Sequence, residues 1–285
     1  MMCATPLTLP DRVVACGHCI ECLIQRSVDW AKRLEHETRY SKSGYFVTLT
    51  YDDENLPTVL DEETGELVSN LSKKDIQDFI KLVRYHEYKK QKDSRPWSAK
   101  VRYFLCGEYG PTTMRAHYHL ILLNVSKDVI NILNKIWTKG FVKVDDVTPK
   151  SIRYVTNYML LKDVDCLEAQ TKPFTTMSKK PIIGAAYIVE NYTHHYETMD
   201  TEMKEPSKVK RTLPRSYRRK LWTPEELNEI NKELCNKVDE LKEEELKKAE
   251  ELDPLDPIGK HKELKQEIAK QKRIKAFKKL KKRKL

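Results

Sequence analysis

The segment from His117 to Leu123 constrains the fold most, because two histidines, one residue apart, begin an apolar run that is typical of a β-strand. Successive side chains of a strand point to opposite faces of its sheet, so His117 and His119 lie on the same face. Their imidazoles, about 7 Å apart along the strand, can converge on one cation. The pattern is also typical of a purely structural histidine pair, so its meaning depends on the segments around it.

Hydrophobic patterns predict the elements around this strand. In order, they are a helix at 23–40, a strand at 45–51, a helix from residue 72, a strand at 101–108, the histidine strand, a helix at 126–137, a strand at 141–144 and a helix at 149–162. After the first helix the order is β-α-β-β-α-β, which is the ferredoxin-like arrangement. We therefore predict an α+β fold with a four-stranded antiparallel sheet, similar to that of RNA-recognition modules, whose central hairpin carries the histidines.

Composition changes along the chain predict four segments. They are a cysteine-containing segment with a helix at 1–44, the sheet-bearing core at 45–165, an irregular accessory segment at 166–222 and a charged helical tail at 223–285. The net charge is +10, and nine lysines and arginines with no acidic residue lie between residues 271 and 285. Such a concentration indicates a polyanionic partner. The candidate DNA contacts in the tail are Lys275, Lys278, Lys279 and Lys282.

The cysteines indicate a metal site rather than disulfides. The chain has seven of them, an odd number, and we find no signal peptide and no apolar run near the roughly 18 residues of a membrane helix. We therefore expect a soluble intracellular protein. Cys16, Cys19 and Cys22 have a spacing that suits structural zinc, with Cys3 or His18 as fourth ligand. The alternative is a set of reduced cysteines at the start of a helix.

Two further groups become informative beside the histidines. Glu108 ends the strand before the histidine strand, so a hairpin can place its carboxylate on the same sheet face. Two imidazoles and a carboxylate suit a divalent ion that contacts phosphate. Tyr154 and Tyr158 are four residues apart on one helix face, and a phenol near a metal can attack phosphorus. The alternatives are a solvent-facing Glu108 and tyrosines that only pack.

These motifs together resemble the HUH endonucleases that initiate rolling-circle replication. The segment 46–52 (FVTLTYD) resembles the first motif of that superfamily, 107–110 (GEYG) with 115–119 (RAHYH) resembles its metal motif, and 154–158 (YVTNY) resembles its two-tyrosine motif. The segment 16–22 (CGHCIEC), with the residues that follow it, is similar to the initiators of small single-stranded DNA phages, the gokushovirus branch of the microviruses. The resemblance covers roughly residues 3–190, including 180–184 (KPIIG).

The resemblance implies a role for each site residue. His117, His119 and Glu108 are the expected ligands of Mg²⁺ or Mn²⁺, and Tyr154 and Tyr158 are the expected nucleophiles. Related initiators often carry a lysine on the tyrosine helix where this chain has Asn157 and Leu161. Lys162, one residue later, is the candidate for an assisting base or phosphate clamp. Candidate DNA contacts are Thr48, Thr50, Tyr51 and Arg115.

The resemblance implies a metal-dependent enzyme that nicks and rejoins single-stranded origin DNA through a 5′-phosphotyrosine intermediate, in the host cytoplasm. The chain has no Gly-x4-Gly-Lys-Ser/Thr loop, so we expect it to rely on a host helicase and a host polymerase. The rival enzyme is a related HUH transposase or relaxase. A rival of another class is a non-enzymatic, zinc-dependent nucleic-acid-binding protein. Only a nuclease would carry DNA covalently through denaturation.

Overall fold

The chain divides into two compact units, residues 1–192 and 193–285. The structure, a computed structural model, describes residues 3–10, 13–89, 100–110, 112–158, 166–204 and 211–256, together with 258–264, 266–268 and 271. In chain order the first unit contains β1 (Leu7–Thr8), β2 (Val13–Val14), α1 (Ile20–Arg39), β3 (Gly44–Tyr51), β4 (Thr58–Leu60), β5 (Leu67–Ser69), α2 (Lys73–Lys89), β6 (Arg102–Tyr109), β7 (Ala116–Leu123), α3 (Lys127–Ile130), α4 (Leu133–Ile136), β8 (Gly140–Asp146), α5 (Pro149–Asn157), β9 (Phe174–Met177) and α6 (Ala185–Thr198), within which the unit boundary falls.

A five-stranded antiparallel sheet organises the first unit, with the strand order β8-β3-β7-β6-β9. The predicted mixed α and β class with an antiparallel sheet is confirmed. The sheet has one strand more than predicted, because β9 adds to the edge of β6, with Phe104 opposite Met177. Sequence periodicity does not detect β9, since it has only four residues and lies between polar segments.

The alternation of side chains along the strands divides the apolar residues into two cores. On one face, Val47 and Leu49 of β3 and Leu120 of β7 pack with the apolar residues of α2, α3 and α4. On the other face, Ile121 and Phe104 pack with apolar side chains of α1 and α5, namely Ala31, Leu34, Ile152 and Val155. This second face also carries the histidines, so α1 and α5 border the candidate site.

Several predicted elements differ from the structure. The helix predicted at 126–137 is two short helices, α3 and α4, because the turn after Ile130 interrupts it. Helix α1 begins at Ile20, three residues earlier than predicted. Helix α5 is described to Asn157 only, and residues 159–165 lie outside the described part. The segment predicted to be irregular, 166–222, contains β9, α6 and a further helix, α7 (Arg215–Leu221). The short α7 and the tertiary pairing of β9 leave weak local signals.

The start of α5 follows the predicted capping pattern. Thr148 Oγ1 accepts a hydrogen bond from the backbone N–H of Ser151, and the Ser151 hydroxyl accepts one from the backbone N–H of Thr148. Pro149 occupies the first helical position, where its missing N–H costs no hydrogen bond. This reciprocal cap sets where α5 begins after β8, and therefore which residues of α5 reach the sheet.

A buried ion pair anchors the segment 180–184 (KPIIG) to the rest of the unit. Arg102 Nε donates to Glu37 Oε1 at 2.7 Å, and both side chains are almost fully buried. The second carboxylate oxygen of Glu37 accepts from the backbone N–H of Gly184 at 2.6 Å. Arg102 also donates to the Pro181 carbonyl, and Arg33 donates to the Ile183 carbonyl. This network gives a structural reason for the segment, which the sequence alone could not supply.

The second unit contains α7 and the long charged helix α8 (Pro224–Leu252), which begins at Thr223 with a capping box and ends before the Asp253-Pro254 break, as predicted. Among the described helices, none combines the length and the apolar character needed to cross a lipid bilayer. The four tail lysines named as candidate DNA contacts lie outside the described residues.

We predict that Glu37→Ala lowers the free energy of unfolding by about 3–5 kcal/mol, because it leaves the buried Arg102 guanidinium without its counter-charge. Urea unfolding followed by tryptophan fluorescence measures this change. Asp78→Ala is the control: Asp78 pairs with Lys74 and Lys81 on an exposed helix face, and its removal should leave the unfolding transition nearly unchanged. Equal effects of the two variants would contradict the assignment.

Candidate active site

The β6–β7 hairpin brings Glu108 and the two histidines together. Glu108 lies directly opposite His117 in the ladder, and His119 is two residues further along the same face. Glu108 Oε1 is 2.7 Å from His117 Nε2 and 3.0 Å from His119 Nε2. One ligand atom from each of the three residues lies within 4.8 Å of the others, so the group could hold a metal ion.

The neighbours of the imidazoles orient them for ligation. His117 Nδ1 lies 3.0 Å from the Arg115 carbonyl oxygen, and since a carbonyl only accepts, Nδ1 carries the proton. This leaves Nε2 directed toward Glu108. His119 Nδ1 lies 3.0 Å from the Thr48 hydroxyl, and its ring stacks on Phe46. Such outer contacts fix the ring orientation of metal-binding histidines. Two nitrogens and one carboxylate oxygen form a donor set that fits Mn²⁺ or Mg²⁺ with positions left open.

Tyr154 and Tyr158 lie on the face of α5 that borders this group. The Tyr154 hydroxyl is 3.4 Å from His119 Nε2, and the Tyr158 hydroxyl donates to it at 2.5 Å. The ring of Tyr158 also stacks on His119, with the two centroids 6.0 Å apart. Helix spacing therefore brings both predicted nucleophiles to the predicted ligands. The placement does not reduce them to packing residues, because Tyr154 is 40% exposed.

Both phenols are held in the protonated form. Burial raises the pKa of Tyr154 to about 12; the hydrogen bond from Tyr158 opposes this rise, and the charge of Glu108 adds to it. Burial and the nearby Glu108 charge raise the pKa of Tyr158 further, and its donation to Tyr154 favours the protonated form. Of the two phenols, Tyr154 is therefore the easier to deprotonate.

Asn157, at one of the positions where related initiators carry a lysine, has a different contact here. Its side-chain oxygen accepts a hydrogen bond of 3.1 Å from the hydroxyl of Ser27, a buried residue of α1. Asn157 therefore links α5 to α1 immediately before Tyr158. Lys162, the other candidate for the lysine role, lies outside the described residues.

An exposed strip of the sheet continues from the histidines to the edge strand β8. Glu108, His117, Thr50 and Phe141 form one row of directly paired residues across β6, β7, β3 and β8. Phe141 is 71% exposed, and Lys143, two residues along β8, projects from the same face. Sequence analysis missed both residues. An isolated aromatic residue becomes informative only once its register with Thr50 is known.

The other predicted DNA contacts have different surroundings. Thr50 lies in the exposed strip, and Thr48 contacts His119. Arg115 lies at the start of the histidine strand, where it pairs with Asp53 at 2.7 Å and donates to the Tyr51 carbonyl. Tyr51 requires a correction: it points to the opposite face, is 3% exposed, and its hydroxyl contacts Asp75 and Tyr118. The alternation along β3 gives Tyr51 a core position and no surface for DNA.

A second group that could hold a metal lies outside this site. Cys3, Cys16, Cys19 and Cys22 have their sulfurs within 4.8 Å of one another, so the fourth member of the group is Cys3 and not His18. Hydrogen bonds from the Thr5 hydroxyl and from the backbone N–H groups of Cys19 and His18 lower the pKa of Cys16 to about 5. Burial raises the pKa of Cys22 to about 12.

Residues 44–163 match the model of a family described as replication-associated protein ORF2. The replication-associated protein ORF2 of Spiroplasma virus 4 is 28% identical over 250 residues, which cover 79% of this chain and 73% of that protein. The resemblance to phage replication-associated proteins is confirmed. The matched range contains Glu108, both histidines and both tyrosines.

Two further relatives share shorter regions. Replication-associated protein VP4 of Bdellovibrio phage phiMH2K is 28% identical over 61% of this chain and 56% of its own length. Replication-associated protein ORF4 of Chlamydia phage 1 is 29% identical over 52% of this chain and 38% of its own length. The chain therefore spans about half or less of these two relatives. A solved structure, the N-terminal nuclease domain of minute virus of mice non-structural protein 1, is 10% identical over 59% of this chain and 83% of that domain; its TM-score of 0.19 is too low to support an argument about the fold.

We predict that Glu108→Gln lowers the pKa of His117 in metal-free protein. Burial favours neutral His117, but the hydrogen bond and charge of Glu108, with the Arg115 carbonyl, outweigh it and raise the pKa above 6.5. Loss of the carboxylate charge leaves burial dominant. The contact therefore stabilises the fold below the unfolded-state pKa, and this stabilisation is lost as the pH rises through the folded-state pKa. NMR titration of the imidazole in chelator measures the shift.

Asp145→Asn is the matched control, because Asp145 is an exposed carboxylate on β8 whose nearest basic partner is Lys143. The pKa of His117 should be the same in this variant and in the unchanged chain. An unchanged pKa in Glu108→Gln would show that the carboxylate does not control the protonation of His117.

Proposed function

We propose that the chain is a site-specific single-strand DNA endonuclease and ligase that starts and ends phage rolling-circle replication. The observation that carries this proposal is the contact between the Tyr154 hydroxyl and His119, beside the carboxylate of Glu108. It brings a nucleophile of the phosphotyrosine type against a donor set suited to a phosphate-binding cation. The match of residues 44–163 to replication-associated proteins supports the same function.

The proposal includes the fold type. If the strands of the predicted core are numbered one to four in chain order, the sheet order β8-β3-β7-β6 reads 4-1-3-2, and β9 extends it. We assign this arrangement to the ferredoxin-like sheet of HUH endonucleases, in which the hairpin between the second and third strands carries the ligands. The cysteine segment with α1 precedes this sheet as an N-terminal addition.

The metal in the proposal is Mg²⁺ or Mn²⁺. Glu108, His117 and His119 would hold it, and it would supply charge that polarises the scissile phosphate. Thr48 and the Arg115 carbonyl keep the two imidazoles in place, so the donor nitrogens need little rearrangement. Arg115 itself, at the edge of the site, offers a guanidinium to the DNA backbone.

Tyr154 is the first nucleophile in this proposal, because it is nearer to His119 and its pKa is the lower of the two. Its phenol oxygen forms a bond to phosphorus, and the bond from phosphorus to the 3′ oxygen breaks. The phenol proton is lost to solvent, and the 3′ oxygen gains one, so the products are a 5′-phosphotyrosine and a free 3′-hydroxyl. Lys162 remains the candidate for assisting this proton transfer.

Tyr158 acts second. Its hydroxyl donates to Tyr154, so both phenol oxygens are within reach of one phosphate. After one round of synthesis, Tyr158 can cut the regenerated origin. The new 3′-hydroxyl then attacks the phosphotyrosine at Tyr154, closes the circle and frees the first phenol. Two nucleophiles on one helix face allow this exchange within a single chain.

The DNA crosses the exposed strip of the sheet in this proposal. Strands lie about 4.8 Å apart, so Phe141 is roughly 10 Å from His117, which is close enough for a base beside the scissile phosphate to stack on it. Lys143 offers a charge to the adjacent backbone. Other proposed partners are a host helicase and a host polymerase, with action in the host cytoplasm. The four tail lysines, Lys275, Lys278, Lys279 and Lys282, remain proposed DNA contacts.

We predict that Tyr154→Phe and Tyr158→Phe each retain part of the cleavage of a single-stranded origin oligonucleotide but lose circle closure. The double variant should form no covalent adduct, because neither remaining ring carries a hydroxyl. Denaturing gel electrophoresis of protein with labelled DNA, with and without Mn²⁺, measures the adduct. Tyr154→Phe should lower the initial rate more than Tyr158→Phe.

Tyr196→Phe, an exposed tyrosine outside the site, is the control for a general loss of phenol groups. A double Tyr154/Tyr158 variant that still carries DNA through denaturation would contradict the nucleophile assignment. Full adduct formation in excess chelator would contradict the metal assignment while leaving the tyrosines in place.

We predict that Phe141→Ala weakens binding of single-stranded DNA by about 1–3 kcal/mol, the usual contribution of one base stacked on an aromatic ring. Fluorescence anisotropy with the double tyrosine variant separates binding from cleavage. Phe141→Trp should bind about as tightly as the unchanged chain. Leu67→Ala, an equally exposed apolar position on the separate β4–β5 sheet, should have no effect. Equal loss in Phe141→Ala and Leu67→Ala would exclude a stacking role.

A further inference from the structure

Four cysteines meet near the start of the first unit, at a place that the nuclease chemistry does not use. The Cys3 and Cys19 sulfurs are 3.7 Å apart, and the Cys16 and Cys22 sulfurs are 4.0 Å apart. Tetrahedral zinc with Zn–S bonds of about 2.3 Å places its sulfur ligands about 3.8 Å from one another. A disulfide would require about 2.05 Å. The spacing therefore fits a four-thiolate zinc site.

The surrounding backbone favours thiolates. Cys16 Sγ accepts hydrogen bonds from the backbone N–H groups of His18 and Cys19 and from the hydroxyl of Thr5. Cys3 Sγ accepts one from the backbone N–H of Cys16. Three donors directed at one sulfur suit a negative ligand, because hydrogen bonds to ionised acceptors are the stronger ones. The turn that arranges them passes through Gly17 at φ +79°, a conformation that glycine adopts without steric cost.

The cluster joins the β1–β2 hairpin to α1. Leu7 pairs with Val14 in this hairpin, which returns the chain so that Cys3 reaches Cys16. Cys19 is the N-cap of α1, and Cys22 lies in its first turn. A two-residue ladder alone holds such a hairpin weakly. An ion bound by all four sulfurs would fix the hairpin to the beginning of α1.

Helix α1 in turn holds α5. Ala31 and Leu34 of α1 share an apolar cluster with Ile152 and Val155 of α5. Nearer to the cysteines, Ser27 donates to Asn157, which immediately precedes Tyr158. A displacement at the start of α1 would therefore reach the tyrosine face of α5 through one helix.

We propose that Cys3, Cys16, Cys19 and Cys22 bind one structural Zn²⁺ and that this ion, through α1, positions the tyrosine helix α5. The cysteines are positioning residues in this role and do not contact DNA. The zinc site stands on the sulfur geometry alone, whereas its effect on nicking rests on the proposed function.

The first experiment tests the ion. The purified full chain should retain about one zinc per chain by elemental analysis after dialysis, since structural zinc binds tightly. Replacement by Co²⁺ should produce a thiolate-to-cobalt charge-transfer band. Cys16→Ser and Cys22→Ser should lose the band, whereas Cys235→Ser, an exposed cysteine of α8, should keep it. Protein without zinc, or a band that survives in Cys16→Ser, would overturn the site.

The second experiment tests the coupling without using nicking as the readout. Amide hydrogen exchange is compared before and after a thiol-reactive mercurial releases the zinc. Exchange should increase in α1 and α5 and stay unchanged in α2, which packs on the opposite sheet face. Unchanged exchange in α5 would overturn the coupling, and so would an equal increase in α2.

The third experiment separates the coupling from the nuclease proposal. Ser27→Ala removes the contact to Asn157 and keeps all four thiols, so it should retain zinc and the cobalt band. Its adduct yield should fall while its affinity for DNA, measured by anisotropy, stays the same. An unchanged yield in Ser27→Ala would overturn the positioning role. Absence of any adduct in the unchanged chain would instead overturn the proposed function, and the zinc and exchange results would stand.

Discussion

The pairing register between β6 and β7 is the constraint on which the rest of the site depends. Because Glu108 lies opposite His117, a carboxylate and two imidazoles project from one face within contact distance. A shift of one residue would turn Glu108 to the opposite face and break the group. The apolar residues that follow the histidines prevent such a shift, since Leu120 and Leu122 belong to one core and Ile121 to the other. Core packing therefore fixes the ligand geometry.

The two sheet faces have different roles because they are covered differently. Helices α2, α3 and α4 cover the face that carries Tyr51 and Tyr118, and both phenols make hydrogen bonds within that core. On the other face, α1 and α5 cover the half that carries Phe104 and Ile121. The half that carries Thr50 and Phe141 stays accessible. The tyrosines of α5 lie where these halves meet, so a strand of DNA on the open half could reach them.

Local signals predicted much of this arrangement, and non-local ones account for the rest. The histidine strand, the α5 cap at Thr148 and the tyrosine spacing could be read from the sequence, because each depends on residues within a few positions. β9 and the exposed strip through Phe141 could not, because they exist only through pairing with distant strands. The misassigned Tyr51 has the same origin: a motif names its residues, whereas the pleat decides which of them face the site. The segment 180–184 gained its meaning from Glu37, far away in the chain.

The charge of Glu108 explains why the phenols need a cation in our proposal. The carboxylate and burial together raise the pKa of both tyrosines, so in metal-free protein they are poor nucleophiles. Glu108 is shared between His117 and His119, and in the absence of a cation its charge favours a protonated His117. A divalent ion would compete with that proton and offset the carboxylate charge seen by Tyr154. The same carboxylate that restrains the phenols in metal-free protein would thus make their reactivity depend on metal, which limits attack to the time when ion and phosphate are both present.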